Sequence, residues 1–175
     1  MATFRSPQRS SACHYTVGVP TRSRRTSQRS WLHDVRKSKR GFIWRGRRNS
    51  LARHHLVKLI AQGPPKRLES LIKNVAPDGF DVDFVERTSR AGESSEHDSN
   101  FMSLYEQCKW TYTFHVPGNS YSAMLKYKLA CNQTVFMIRD DAGSEEFWYE
   151  ALEHGNHVFF IKSDLSDFWQ VLESA

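Results

Sequence analysis

Two short apolar runs constrain this chain more than any other feature: Thr134, Val135, Phe136, Met137 and Ile138, and His157, Val158, Phe159, Phe160 and Ile161. Both are unbroken, rich in β-branched and aromatic residues, and bounded by turn-forming residues, so both read as strands buried on their two faces. Such strands belong to parallel sheets, and a parallel sheet needs a crossover, usually a helix, between one strand and the next. The rest of the chain is spaced accordingly. Further strands are predicted at 40–44, at 80–85, where apolar and acidic residues alternate, and at 110–116. Helices are predicted at 51–61, 67–74 and 101–108, from Ser120 or Ser122 to about Ala130, and at 145–153. A last helix follows a Ser163 or Asp164 cap, with Leu165, Phe168, Trp169 and Leu172 as its stripe, and a short helical lead-in is read at 31–39. The expected fold class is α/β: a Rossmann-like parallel sheet with helices on both faces, formed by residues 31–175.

Charge divides the chain differently. Residues 1–60 carry 15 of the 25 Lys and Arg residues and one acid, Asp34, whereas residues 61–175 carry 18 of the 19 Asp and Glu residues. The net charge of +6 therefore covers a basic head and an acidic body. Residues 1–30 bury too little apolar surface to offset their ordering entropy and read as a basic disordered leader. A nucleic-acid-binding arm is not favoured, because no aromatic platform is interleaved with the charges. The leader resembles a mitochondrial transit peptide in composition, no secretory signal is visible, and no run approaches the ~18 apolar residues of a membrane span. Cys13, Cys108 and Cys131 are too few and too scattered for a disulfide framework or a zinc site, and an odd count leaves at least one thiol free. The sequon at Asn132, Gln133 and Thr134 is read as a chance match between a helix and a strand. His54 and His55 are adjacent on a helix and face different directions, while His154 and His157 flank a turn and are read as structural. No metal site is expected.

Two junctions carry the candidate chemistry. The first follows the 40–44 strand: Arg45, Gly46, Arg47, Arg48, Asn49 and Ser50, with Asn49 or Ser50 capping the next helix and Arg53 one turn further on. Arg forks match phosphate oxygens bidentately, and four guanidiniums at one junction repel each other unless an anion or an acid lies between them. The second junction follows the 110–116 strand: Pro117, Gly118, Asn119, Ser120, Tyr121 and Ser122, leading into Met124, Leu125 and Leu129 with Lys126 and Lys128 between. A strand, a Gly turn and a Ser-capped helix offer free N–H groups and the positive end of a helix dipole to an anion. Both junctions lie at carboxyl ends of strands, where open α/β sheets bind their ligands. The alternative readings are a tight connection and a surface basic patch.

Several segments, in order, resemble the capsule-associated and Rumi-type protein O-glucosyltransferase family. Trp44, Arg45, Gly46, Arg48, Asn49, Ser50 and Arg53 resemble its aromatic-Arg-Gly…Arg-(Thr/Asn)-Ser…Arg block. Glu106, Cys108, Lys109 and Trp110 are similar to its acidic/aromatic-Cys-Lys-Tyr approach. Gly118, Tyr121, Ser122, Leu125, Lys126 and Tyr127 resemble its Gly-x-x-(Tyr/Ala)-Ser-x-Arg-(Leu/Phe)-Lys-Tyr signature. Residues 145–149, 155–158 and 164–167 resemble its remaining segments. The resemblance implies one half of a GT-B glycosyltransferase, the donor-binding half, taking a UDP-sugar with no required metal or other cofactor. It implies that Arg45, Gly46, Arg48, Ser50 and Arg53 border the donor diphosphate, and that Gly118, Ser120, Tyr121, Ser122, Ala123 and Lys126 form a second wall. It also implies an ER or Golgi lumenal location and a protein or glycan hydroxyl as acceptor. Helix termini and Arg or Lys side chains supply the electrostatic stabilisation that a leaving UDP needs.

Two departures matter. Met124 stands where the signature has Arg, forfeiting a charge-assisted contact worth about 1.5–3 kcal/mol. The acceptor-binding half, which carries the family's Asp base, has no counterpart in residues 1–30, and Asp34 does not replace that base. The expected function is transfer of a hexosyl or pentosyl group from a UDP-sugar by a truncated glycosyltransferase-type chain whose missing N-terminal half is a partner. The alternative is a non-catalytic nucleotide-sugar-binding or partner-binding remnant.

Overall fold

The computed structural model describes residues 36–88, 98–139 and 143–175. Five parallel strands form one sheet: β1 (Lys39–Gly46), β2 (Phe80–Phe84), β3 (Trp110–His115), β4 (Thr134–Ile138) and β5 (Phe159–Ile161), in the order β2-β1-β3-β4-β5. The helices are α1 (Leu51–Ala61), α2 (Glu69–Val75), α3 (Leu104–Gln107), α4 (Leu125–Ala130) and α5 (Phe168–Ser174). No helix among the described residues is long and apolar enough to cross a membrane.

Side-chain alternation along each strand gives the sheet two apolar faces. On one, Phe42, Trp44, Phe114, Phe136 and Ile161 pack with Leu56 of α1, Ile72 of α2, and Phe168 and Leu172 of α5. An aromatic ladder runs across this face. Phe42 stacks on Phe80 and on Tyr112, with ring centroids 4.7 Å apart in each pair, and Phe136 stacks on Phe159 at 5.3 Å. On the other face, Val135 and Met137 pack with Leu125 of α4, Tyr149 and Val158.

The strand order places β1 beside β3, whereas β2 lies beyond β1. From β1 the chain leaves through α1 on one face, and from β3 it leaves through α4 on the other. Connections that depart in opposite directions open a crevice at the carboxyl edge, the switch point where doubly wound sheets bind ligands. The two candidate junctions are the two lips of that crevice.

Several local expectations are corrected. The helix predicted at 145–153 is a single 3-10 turn, Tyr149–Ala151: Trp148, Tyr149 and Leu152 pack on the second face of the sheet, but Phe147 is 93% exposed. The helix predicted from Ser120 or Ser122 begins only at Leu125 and runs six residues; its N-cap is Met124, with no side-chain cap. The helix predicted at 101–108 contracts to Leu104–Gln107, capped by Ser103, whose hydroxyl accepts from the Glu106 N–H. The last helix starts at Phe168, after an Asp167 whose carboxylate accepts from the Lys162 N–H instead of capping. Residues 36–38 form no helix and Lys39 already belongs to β1, while the start of the predicted lead-in, like the 1–30 leader, lies outside the described residues. Cys108 and Cys131 form a disulfide that ties the start of β3 to the end of α4; the scattered cysteine spacing concealed this pairing.

Candidate functional site

The first lip is built by acids as much as by arginines. Arg45 Nη2 lies 2.5 Å from Asp81 Oδ1, Arg47 Nη2 2.5 Å from Asp98 Oδ2, and Arg48 Nε 2.5 Å from Glu86 Oε1. Arg45 also donates to the carbonyls of Asp81 and Asn100, and the Arg48 guanidinium rests over the Phe84 ring. The repulsion expected among four guanidiniums is thus relieved for three of them by carboxylates from β2 and the segments beyond it. Gly46 is required here, because a Cβ would run into the Trp44 ring.

Arg53 is the fourth, and it joins the two lips. Its Nε donates to Pro117 O at 3.1 Å and its Nη1 to Arg47 O at 3.1 Å, with Nη2 3.5 Å from Val116 O. Ser50 holds the N-cap position of α1 in extended conformation, yet its hydroxyl donates to Pro117 O at 2.9 Å instead of capping. Gly118 passes under Arg53 and Asn49, and a Cβ there would lie 3.1 Å from Arg53 Nη2. Ser50 therefore gives the first N–H groups of α1 no side-chain cap, and beside this end of the helix lies a cavity of about 350 Å³ lined by Leu51, Ala52, His55, Gly118 and Arg139.

A second cavity, about 230 Å³, is lined by Arg45, Arg53, Gln107, Ser122, Met124 and Lys128. Lys128 is buried, and its ammonium group donates to Phe114 O. Burial first, then the Arg53 charge, lowers its pKa to about 7. Burial also lowers that of Arg53. His115, buried on β3, is held near 3 by burial and then by the charges of Lys128 and Arg53. Its Nε2 lies 3.2 Å from the Tyr149 hydroxyl, which reaches Ser122 O at 3.4 Å, and its Nδ1 has no partner. That pattern fits a neutral imidazole donating from Nε2, with the Nδ1 lone pair left bare. Tyr149 is pushed up to about 12 by burial and then by Glu146, Glu145 and Tyr121.

Of the residues singled out in the sequence, Arg45, Gly46, Ser50, Arg53, Gly118 and Ser122 line the two cavities. Arg48 turns to Glu86 at the β2 edge. Ser120 is exposed and its carbonyl accepts from the Gly118 N–H, closing the turn. Tyr121 is half exposed, Ala123 faces solvent, and Lys126 is exposed beside the Tyr127 ring, lining neither cavity. A six-residue α4 also leaves the second lip with little helix dipole. The buried cation is Lys128, not Lys126. Its signal was legible: Leu125, Lys128 and Leu129 share one face of α4, so a Lys occupies an apolar position. A further cavity, about 470 Å³, lies at the amino ends of β4 and β5, away from every one of these groups. His154 and His157 accept backbone N–H bonds from Phe160 and Glu153, the structural role expected of them.

A five-stranded parallel sheet with both faces covered and a cationic crevice at its carboxyl edge is a Rossmann-like α/β domain of the kind glycosyltransferases use. The family model for glycosyl transferase family 90 matches residues 22–173, and the chain belongs to that family. It is similar to protein O-glucosyltransferase 1 of Rattus norvegicus, with 27% identity over 147 residues, 84% of this chain and 34% of that protein. The chain therefore spans about a third of the length of this curated relative.

Proposed function

We propose that this chain is a donor-binding glycosyltransferase domain that holds a UDP-sugar across the crevice between β1 and β3. The observation that carries the reading is Arg53, whose guanidinium bonds both lips and, among the described residues, has no carboxylate within ion-pair distance. A diphosphate placed there would meet Arg53 and Lys128, two cations that stabilise a leaving nucleoside diphosphate without a metal ion. In this reading the sugar passes to a protein or glycan hydroxyl, and the acceptor side and its base come from a further half. The Cys108–Cys131 disulfide supports an oxidising compartment such as the ER or Golgi lumen.

A second reading, a non-catalytic nucleotide-sugar-binding remnant, is favoured by one feature of the site. Asp81, Glu86 and Asp98, the carboxylates nearest the first lip, are each held by an arginine and are poor candidates for a general base. Calorimetric titration with UDP, followed by assay of UDP-sugar hydrolysis and transfer, separates the two. Binding with turnover supports the enzyme, binding without it supports the remnant, and no binding of UDP removes both.

A further inference from the structure

Lys128 is a buried cation placed where a cation is unfavourable. Arg45 faces its cavity from β1, Arg53 from α1 and Gln107 from the end of α3, with His115 nearby on β3. Arg45 is neutralised by Asp81, Gln107 is uncharged, and His115 is neutral in its bond to Tyr149. Among the described residues, Arg53 hydrogen-bonds only carbonyls. Among the described residues no carboxylate lies within ion-pair distance of Arg53 or Lys128, and Lys128 has one hydrogen-bond partner, Phe114 O, for its three donor positions. An ammonium buried without a counter-ion costs several kcal/mol, so this lining by itself favours the neutral amine. An oxyanion entering the same cavity reverses that preference, because it supplies the charge that Arg53 and Lys128 both lack.

We propose that the cavity between β1, α1 and α4 is a phosphate-class oxyanion site in which Lys128 takes up a proton as the anion binds. The inference rests on the donor-binding reading, with the diphosphate of the nucleotide as the anion. The only bond formed is N–H on the Lys128 amine, and the proton comes from the buffer. At about 230 Å³ the cavity has the volume of roughly eight waters at ~30 Å³ each. It falls below the ~300 Å³ at which pockets begin to take whole ligands, so it receives the phosphate end and not the whole nucleotide. Met124, one turn before Lys128 on the same face, lines the same cavity and adds no charge, which leaves Lys128 as the cation that α4 contributes.

The test is calorimetry of UDP binding to the full chain at pH 8 and 9, each in two buffers of different ionisation enthalpy. At these pH values the terminal phosphate of UDP, with its second ionisation near ~6, is already fully ionised. The expected result is uptake of nearly one proton per UDP, with Kd rising up to about tenfold per pH unit. Lys128→Met, shown to be folded by its cooperative thermal transition, abolishes the uptake, flattens the pH dependence and weakens binding. UDP binding without proton uptake, or uptake that persists in Lys128→Met, overturns the role of Lys128 and leaves the donor reading standing. Absence of UDP binding overturns the donor reading, and inorganic diphosphate is then the probe. Diphosphate binding with uptake lost in Lys128→Met upholds the oxyanion site, and any other outcome with diphosphate overturns it.

Discussion

Replacing Lys128 by Met measures what the buried amine costs the fold, with no ligand involved. The folded-state pKa is lowered from 10.5 to about 7, by burial first and the Arg53 charge second. Between those values the unfolded chain holds a proton that the folded chain has released, so stability rises with pH, by about 1.4 kcal/mol per unit. Below pH 7 both states carry the proton and the full penalty, on the order of 5 kcal/mol, is present. Met is close to Lys in length and leaves no charge to bury, but it gives up the bond to Phe114 O, a loss of about 1–3 kcal/mol. The variant is expected to be more stable than wild type by roughly 2–4 kcal/mol at pH 7. That advantage should shrink by about 2 kcal/mol between pH 7 and 9, because the folded-state amine is already half deprotonated at pH 7. Urea unfolding at pH 7, 8 and 9 reads both quantities. Lys37, lowered to about 8 by burial near the disulfide, adds its own slope to both proteins and cancels in the difference. A variant less stable than wild type at pH 7, or one whose pH slope matches wild type, would refute the reasoning.

Three further outcomes are expected. Met124→Arg places a guanidinium in the cavity with Arg53 and Lys128, and it should tighten UDP binding by about 10- to 150-fold, the equivalent of 1.5–3 kcal/mol; equal or weaker affinity by calorimetry would contradict that placement. His115 has its pKa lowered from 6.5 to about 3, so its contribution is intact above pH 6.5 and is lost as pH falls towards 3, by about 1.4 kcal/mol per unit. Acid unfolding should be correspondingly shallower in His115→Gln, and an unchanged profile would count against a buried neutral imidazole. The Cys108–Cys131 bridge closes a separation of 23 residues, and removing it as a Cys108→Ala, Cys131→Ala pair should lower stability by about 3 kcal/mol, with added reductant shifting wild type to the same midpoint.

Local pattern alone determined the strand at 134–138, the strand predicted at 110–116 and formed at Trp110–His115, the helix at 51–61, the parallel character of the sheet, and the position of both junctions at carboxyl ends of strands. Each follows from side-chain periodicity and end signals within a dozen residues, and burial on two faces leaves a continuous apolar run that needs no partner to be read. Where the local signal was thin it misled. Glu145, Glu146, Phe147 and Trp148 suggested a helix, but Phe147 finds no apolar neighbour to cover it and the segment makes one turn.

The site itself was decided by tertiary structure. Nothing in the pattern of a strand says which strand lies beside it, so only the order β2-β1-β3-β4-β5 brings Arg53 against Pro117. The pairing of Arg45, Arg47 and Arg48 with Asp81, Asp98 and Glu86 depends on that same neighbourhood and reaches across 36 to 51 residues of sequence. Periodicity reports how much of a side chain is buried, not what it is buried against. The charge of a buried lysine or the freedom of a surface arginine depends on groups that are close in space and distant in the chain, and their meeting is set by topology.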